Sequence, residues 1–143
     1  MTNDMRLEVR PYRDEDEDGV IALWDTVFPD NPAHNEPRTN IRRKLGVQRE
    51  LFLVAVDDGR LVGTARAGDD GHRGWVYYVA VDPAWRRRGV GAALMKRVEE
   101  DLVRRGCPKL NLQVRAGNRS AVAFYESLGY AVEDRVSMGK HIG

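Results

Sequence analysis

The chain has 143 residues, 42% of them apolar and 31% charged, with 23 basic residues against 22 acidic. That length suits one domain, residues 1–143, able to bury its own core without staples, and the near-neutral balance gives no general drive toward nucleic acid. A lone Cys107 excludes an intramolecular disulfide, no run approaches a membrane span, and the opening MTNDMRLEVR lacks a signal peptide's apolar core, so the cytoplasm is the expected location.

Leu7, Val9 and Pro11 alternate with Arg6, Glu8 and Arg10 and predict a short first strand. Five acids, Asp14 to Asp18, open a helix that runs to about Val27 with Val20, Leu23, Trp24 and Val27 inward. Acids are favoured at a helix start; a role in drawing in a cationic partner is the alternative. Phe28 to Pro37 is an irregular loop, and Thr39 to Leu45 a second short helix, basic outside through Arg42, Arg43 and Lys44. Leu51–Val56 and Leu61–Ala67 are strands joined by the hairpin turn Asp57-Asp58-Gly59-Arg60. The polar loop Gly68–Gly74 leads to Trp75–Val81, an unbroken apolar and aromatic run that predicts a strand buried on both faces.

Asp82 and Pro83 stop that strand. Arg86-Arg87-Arg88-Gly89-Val90-Gly91 follows, and then a helix with Val90, Leu94, Val98 and Leu102 on one stripe. Gly106 caps it and Pro108 ends it. Lys109–Arg115 reads as another strand, Ser120–Leu128 as a short helix, and Tyr130–Met138 as a polar final strand at an edge. The order gives a mixed α/β fold. An antiparallel front half joins a parallel rear half through a right-handed crossover, with helices on both faces.

Ligands in such sheets bind beyond the C-terminal ends of parallel strands, where Arg86 to Gly91 lies. Glycines there let backbone N–H groups turn toward a guest, the helix start adds unpaired donors, and three arginines raise the potential. The stretch points to a phosphate or pyrophosphate site; a structural turn with solvated arginines is the alternative. Neither GxxxxGK[ST] nor G-x-G-x-x-G is present. Tyr125 is a packing residue or a phenol brought to the rim of the sheet. Asn118 is a helix N-terminal polar residue or a ligand contact. His34, His72 and His141 lie apart, without metal-ligand spacing, and each is a general-base candidate only through its intrinsic pKa.

Two signatures together resemble the GCN5-related N-acetyltransferase (GNAT) superfamily, most closely its small YpeA-type bacterial members. The first is Arg86-Arg87-Arg88-Gly89-Val90-Gly91, matching Gln/Arg-x-x-Gly-x-Gly/Ala. The second is Asn118 followed by Ala121-x-x-Phe124-Tyr125-Glu126-Ser127-Leu128-Gly129-Tyr130. The resemblance implies an acetyl-CoA-dependent enzyme without a metal. It also implies a V-shaped cleft where the central strand bulges and splays from its parallel neighbour. Backbone N–H groups from Arg87 through Gly91 would hold the pyrophosphate, with Arg86 opening the motif. Backbone groups of Val79, Ala80 and Val81 would pair with the pantetheine arm, helped by Asn118.

Tyr125 would protonate the departing thiolate, and a backbone N–H near Val81 would stabilise the oxyanion. The expected reaction is direct transfer to a primary amine of a small molecule or amino-acid derivative. A protein or peptide N-terminus and a non-catalytic CoA-binding module are the alternatives. Several family members place a carboxylate base where this chain has Trp75. Asp70, His72 and His34 are the substitutes, or the amine arrives neutral. Many family members form homodimers, and the polar last strand could support one.

Overall fold

The strand formers Phe52 to Val56 are buried without a break and begin β2 (Phe52–Asp57). The computed structural model describes residues 5–30, 32 and 36–143. In it β2 lies between β1 (Leu7–Pro11) and β3 (Arg60–Asp69), followed by β4 (Gly74–Val81) and β5 (Leu110–Asn111), in the order β1-β2-β3-β4-β5. The first four pair antiparallel, and β4 pairs with β5 in parallel. The helices are α1 (Glu17–Val27), α2 (Pro37–Leu45), α3 (Val90–Arg104) and α4 (Arg119–Ser127). This is the expected mixed fold. The chain forms two compact units: Met1–Leu112, which holds the sheet, and Gln113–Gly143, which holds α4.

In the first unit, alternation along β3 decides what each face meets. Gly63 faces α3 so closely that a Cβ there would stand 2.9 Å from Leu94 Cδ1 and 3.1 Å from Val90 Cγ1. The predicted stripe Val90, Leu94, Val98 and Leu102 is buried as a whole, and Leu102 closes over Gly74 in the same way. Thr64 faces the opposite side, under Trp24 of α1. There Tyr12, Val20, Leu23, Trp24, Ile41, Phe52, Val54 and Val56 make the core. Trp24 stacks on Tyr78, and Tyr12 on Phe52.

Three acids of the run are engaged within the chain. Asp16 is buried, takes both terminal nitrogens of Arg10 and accepts the Arg13 N–H; Asp14 pairs with Arg49 and Glu17 with Arg38. The pair with Arg10 and the Arg13 N–H hold the Asp16 carboxyl below the usual carboxylate range against the opposing effect of burial. Pro37 sits in the first turn of α2, and Glu36 caps that turn by accepting the Arg38 and Thr39 N–H groups.

Three expectations are corrected. β4 is not buried on both faces, because Tyr77 is 45% exposed and Trp75 half-buried. β5 holds only Leu110 and Asn111 of the expected Lys109–Arg115, since its ladder with β4 stops at Trp75–Asn111 and β4 bends at a bulge three residues on. No strand forms over Tyr130–Met138. The Arg135 N–H turns back to the Glu133 carbonyl and breaks the run, leaving Val132, Val136 and Met138 exposed.

Candidate active site

The exit of β4 brings exposed arginines and unpaired backbone donors together on a fixed corner of the sheet. Asp82 caps the short turn Pro83–Trp85 through the Ala84 N–H and pairs with Arg60 at 3.6 Å. Trp85 Nε1 donates to Asp57 at 2.7 Å, and Arg60 lies over the indole ring. The Trp85 hydrogen bond, then the Arg6 N–H, hold the Asp57 carboxyl below its ordinary range. This corner of the sheet is therefore tied down, while Arg86, Arg87, Arg88 and Gly89 stand exposed beyond it. Arg87 (φ 65°) and Gly89 (φ 82°) are both left-handed, a conformation that gathers successive N–H groups on one side. The first α3 hydrogen bond runs from Ala93 N to Gly89 O, so the N–H groups of Val90, Gly91 and Ala92 have no i−4 partner. Among the described residues, no carboxylate forms a salt bridge with Arg86, Arg87 or Arg88.

Upstream, β4 carries one extra residue. Arg66 opposes Tyr77 and Thr64 opposes Ala80, so three steps on β4 match two on β3. Tyr78 has φ 51°, unusual for a residue with a Cβ, and its carbonyl accepts the Thr64 hydroxyl at 2.9 Å. Thr64 in turn accepts Trp24 Nε1 at 2.9 Å. Past the bulge, the Asp82 N–H donates to the Val62 carbonyl on β3. N–H groups alternate along a strand, so that of Val81 points the other way, to the edge that β5 leaves unpaired. Val79, Ala80 and Val81 thus follow the bulge and lead into that corner.

A cavity of about 420 Å³ opens at the other end of β4, between α2, β3 and the start of β4. Cross-strand pairing puts Arg66 with Tyr77 and Gly68 with Trp75 on its floor. Lys44 of α2 is 3% exposed and lies over Gly68. Burial, then Arg66 nearby, pushes its ammonium down to about 8. Gln48 clamps the wall, exchanging both hydrogen bonds with the Asp69 backbone.

Trp75 and Tyr77 stack with ring centroids 6.4 Å apart, and Trp75 Nε1 donates to Asp70. Asp70 also accepts the Arg73 and His72 N–H groups, which hold its carboxyl below the ordinary range. His72 sits in the same loop, and His34 lies outside the described residues. No group of three His, Cys, Asp or Glu among the described residues could hold a metal.

In the second unit, Asn118 Oδ1 caps α4 by accepting the Ala121 N–H. Tyr125 packs edge-on against Phe124 and Tyr130, and burial pushes its phenol up to about 12. Arg66 and Thr64 were not singled out by sequence reasoning, Trp24 was read only as core, and the expectation that Lys44 lies on the outside of α2 is corrected, because the structure buries it. For Lys44 a signal existed: it stands three residues after the buried Ile41, on the inward stripe of α2.

Residues 14–130 match the profile of the acetyltransferase (GNAT) family. An acetyltransferase of Yersinia pestis (strain Pestoides F) is 43% identical over 136 residues, 95% of this chain and 96% of its own length. An acetyltransferase of Pectobacterium atrosepticum is 42% identical over the same shares. Among solved structures, an aminoglycoside N-acetyltransferase in complex with CoA superimposes with a TM-score of 0.82 at 18% identity, covering 99% of this chain and 98% of that one. Ard1 from Thermoplasma volcanium does so at 0.77 and 23%, covering 89% and 84%. At these identities the structural matches speak for the fold alone.

Proposed function

The chain belongs to the acetyltransferase (GNAT) family, and we propose that it moves an acetyl group from acetyl-CoA directly to the primary amine of a small molecule or amino-acid derivative. The observation that carries this is the pairing of two backbone features on one strand: a bulged, half-unpaired edge, and an anion cradle at its exit. The cradle fits a diphosphate, because no carboxylate among the described residues forms a salt bridge with its arginines and the space around Gly89 is open.

Acetyl-CoA supplies a thioester already reactive toward amines. The N–H groups from Arg87 through Gly91 would hold the pyrophosphate, with Arg86, Arg87 and Arg88 supplying charge. Backbone groups of Val79, Ala80 and Val81 would take the pantetheine arm as a strand. The Val81 N–H would donate to the carbonyl oxygen as negative charge gathers there. Asn118 spends its oxygen on the α4 cap, which leaves its amide N–H groups for the arm. Tyr125 would give its proton to the departing sulfur; a phenol pushed up to about 12 keeps that proton throughout the neutral range. Asp70 is engaged by two N–H groups of its own loop and by Trp75 Nε1 of β4, so the amine is proposed to arrive neutral rather than to be deprotonated there.

A small acceptor is favoured over a peptide by the cavity beside Trp75, which is of small-ligand size, whereas a peptide needs an extended groove. Release of CoA thiol from acetyl-CoA in the presence of a set of amines and peptides tests the reading. Thiol release with small amines supports it. Tight acetyl-CoA binding with no release to any acceptor would favour a CoA-binding module instead.

A further inference from the structure

A lysine as buried as Lys44 ordinarily meets a carboxylate, because an isolated ammonium is costly to take out of water. Here it meets none: among the described residues, no carboxylate lies within salt-bridge distance of its ammonium or of the Arg66 guanidinium. Arg66 Nε is itself buried without a hydrogen-bond partner. Both cations line the cavity beside β4, and exposed Arg43 reaches its rim.

The acids that share the cavity do not compensate. Asp69 accepts the Gly71 N–H at 2.9 Å and Arg105 Nε at 3.4 Å. Asp70 accepts the Arg73 N–H at 2.7 Å, the His72 N–H at 2.8 Å and Trp75 Nε1 at 3.2 Å. The acid whose charge bears on Lys44, Glu50, is paired with Arg105 at 3.3 Å. What remains among the described residues is two unanswered positive groups on a floor walled by the Trp75 and Tyr77 rings, with Gln48 hydrogen-bonded to the Asp69 backbone beside them.

Resting on the acetyl-transfer reading above, the geometry points to a specificity device: Lys44 and Arg66 hold a carboxylate of the acceptor. The acceptor is then a small amine that carries an acid group, an α-amino acid or close relative, and not a polycationic amine. An arginine fork and a lysine point charge together suit one carboxylate, Arg66 through planar hydrogen bonds and Lys44 through charge. The folded chain keeps two costly unpaired cations because the acceptor supplies the missing anion. The apolar ring faces leave room for a side chain beside it.

The test is calorimetric titration of the full chain, saturated with CoA, with the N-acetyl derivatives of glycine, phenylalanine and glutamate and with their methyl esters. At least one acid is expected to bind about 30-fold or more tightly than its ester, because the ester leaves both cations unanswered. K44M and R66M are each expected to weaken that acid by about 10-fold or more while CoA affinity stays within about twofold, and K44R should restore part of the loss. K44M replaces an unpaired buried charge with an apolar chain of similar length, and circular dichroism confirms its fold.

Equal affinity for acid and ester across the set overturns the assignment, as does failure of every acid to bind. So does an effect of K44M confined to kcat with amino-acid acceptors, with KM unmoved. Loss of CoA binding by the parent chain would be a different result, overturning the acetyl-transfer reading itself.

Discussion

The Thr64 hydroxyl and the Tyr78 carbonyl, 2.9 Å apart, tie the bulge of β4 to the helix on the far side of the sheet. Thr64 is fully buried and also receives Trp24 Nε1, so one hydroxyl satisfies a buried indole and a bulge carbonyl at once. Replacing it by valine keeps the shape and strands both partners. We expect T64V to lose about 2–4 kcal/mol of stability, with T64S much milder, in urea denaturation. If the bulge aims the Val81 N–H, T64V also lowers kcat more than it weakens CoA binding.

Gly63 and Gly19 should respond in opposite directions to alanine. At Gly63 the new Cβ meets Leu94 Cδ1 at 2.9 Å and the Ala80 carbonyl oxygen at 3.1 Å, and the latter is backbone that cannot swing aside. G63A is expected to cost about 1–3 kcal/mol. At Gly19, inside α1, the nearest atom is Leu61 Cβ at 3.5 Å, an ordinary contact. G19A is expected to gain about 0.5–1 kcal/mol from helix propensity. Thermal melts of the two variants check both signs.

The cradle arginines are exposed, so removing them should leave folding untouched. With Arg86, Arg87 and Arg88 all changed to alanine, the CoA dissociation constant should rise about 10- to 100-fold, and its dependence on salt should flatten, because the backbone donors remain while the screened charges go. Calorimetry at two ionic strengths measures this. An unchanged salt dependence would move the pyrophosphate away from this turn.

Y125F should slow acetyl transfer by about 10²-fold while acetyl-CoA affinity stays near that of the parent. With the phenol pushed up to about 12 by burial, its ionisation should produce no limb in the rate profile below about pH 10. A large loss of affinity in Y125F would assign the residue to binding.

Lys44 makes a pH signature. Its folded pKa of about 8 lies below the ordinary 10.5, so between those values the unfolded chain carries a proton that the folded chain lacks. Stability from this group therefore rises with pH across that window and is lowest below pH 8, where both states are charged. K44M should be more stable than the parent, by up to about 3 kcal/mol below pH 8, the gap closing toward pH 10.5. Denaturant titrations at pH 7 and pH 10 check the sign. Carboxylate binding by the parent should weaken as pH rises through 8.

Much of this protein is legible without coordinates. The stripe Val90, Leu94, Val98, Leu102, the hairpin at Asp57–Arg60 and the basic glycine turn are local patterns, with periods of helix and strand or turn chemistry written in adjacent residues. They determine most of the elements, their order and the place of the proposed phosphate cradle. Some local patterns misled. The apolar run Trp75–Val81 promised burial on both faces, yet Tyr77 opens onto a cavity, and the polar stretch Tyr130–Met138 did not make an edge strand.

What the fold alone decided is where long-range contacts set the energy. A left-handed Tyr78 has no signature in its own side chain; it is held there by Thr64 and Trp24, 14 and 54 positions earlier. Lys44 looks like any basic residue on a surface helix until β3 brings Arg66 and Gly68 beneath it and, among the described residues, no acid pairs with it. Periodicity records whether a residue faces inward; whether the charge it carries there is answered depends on what the rest of the chain packs against it, and only the assembled structure fixes that.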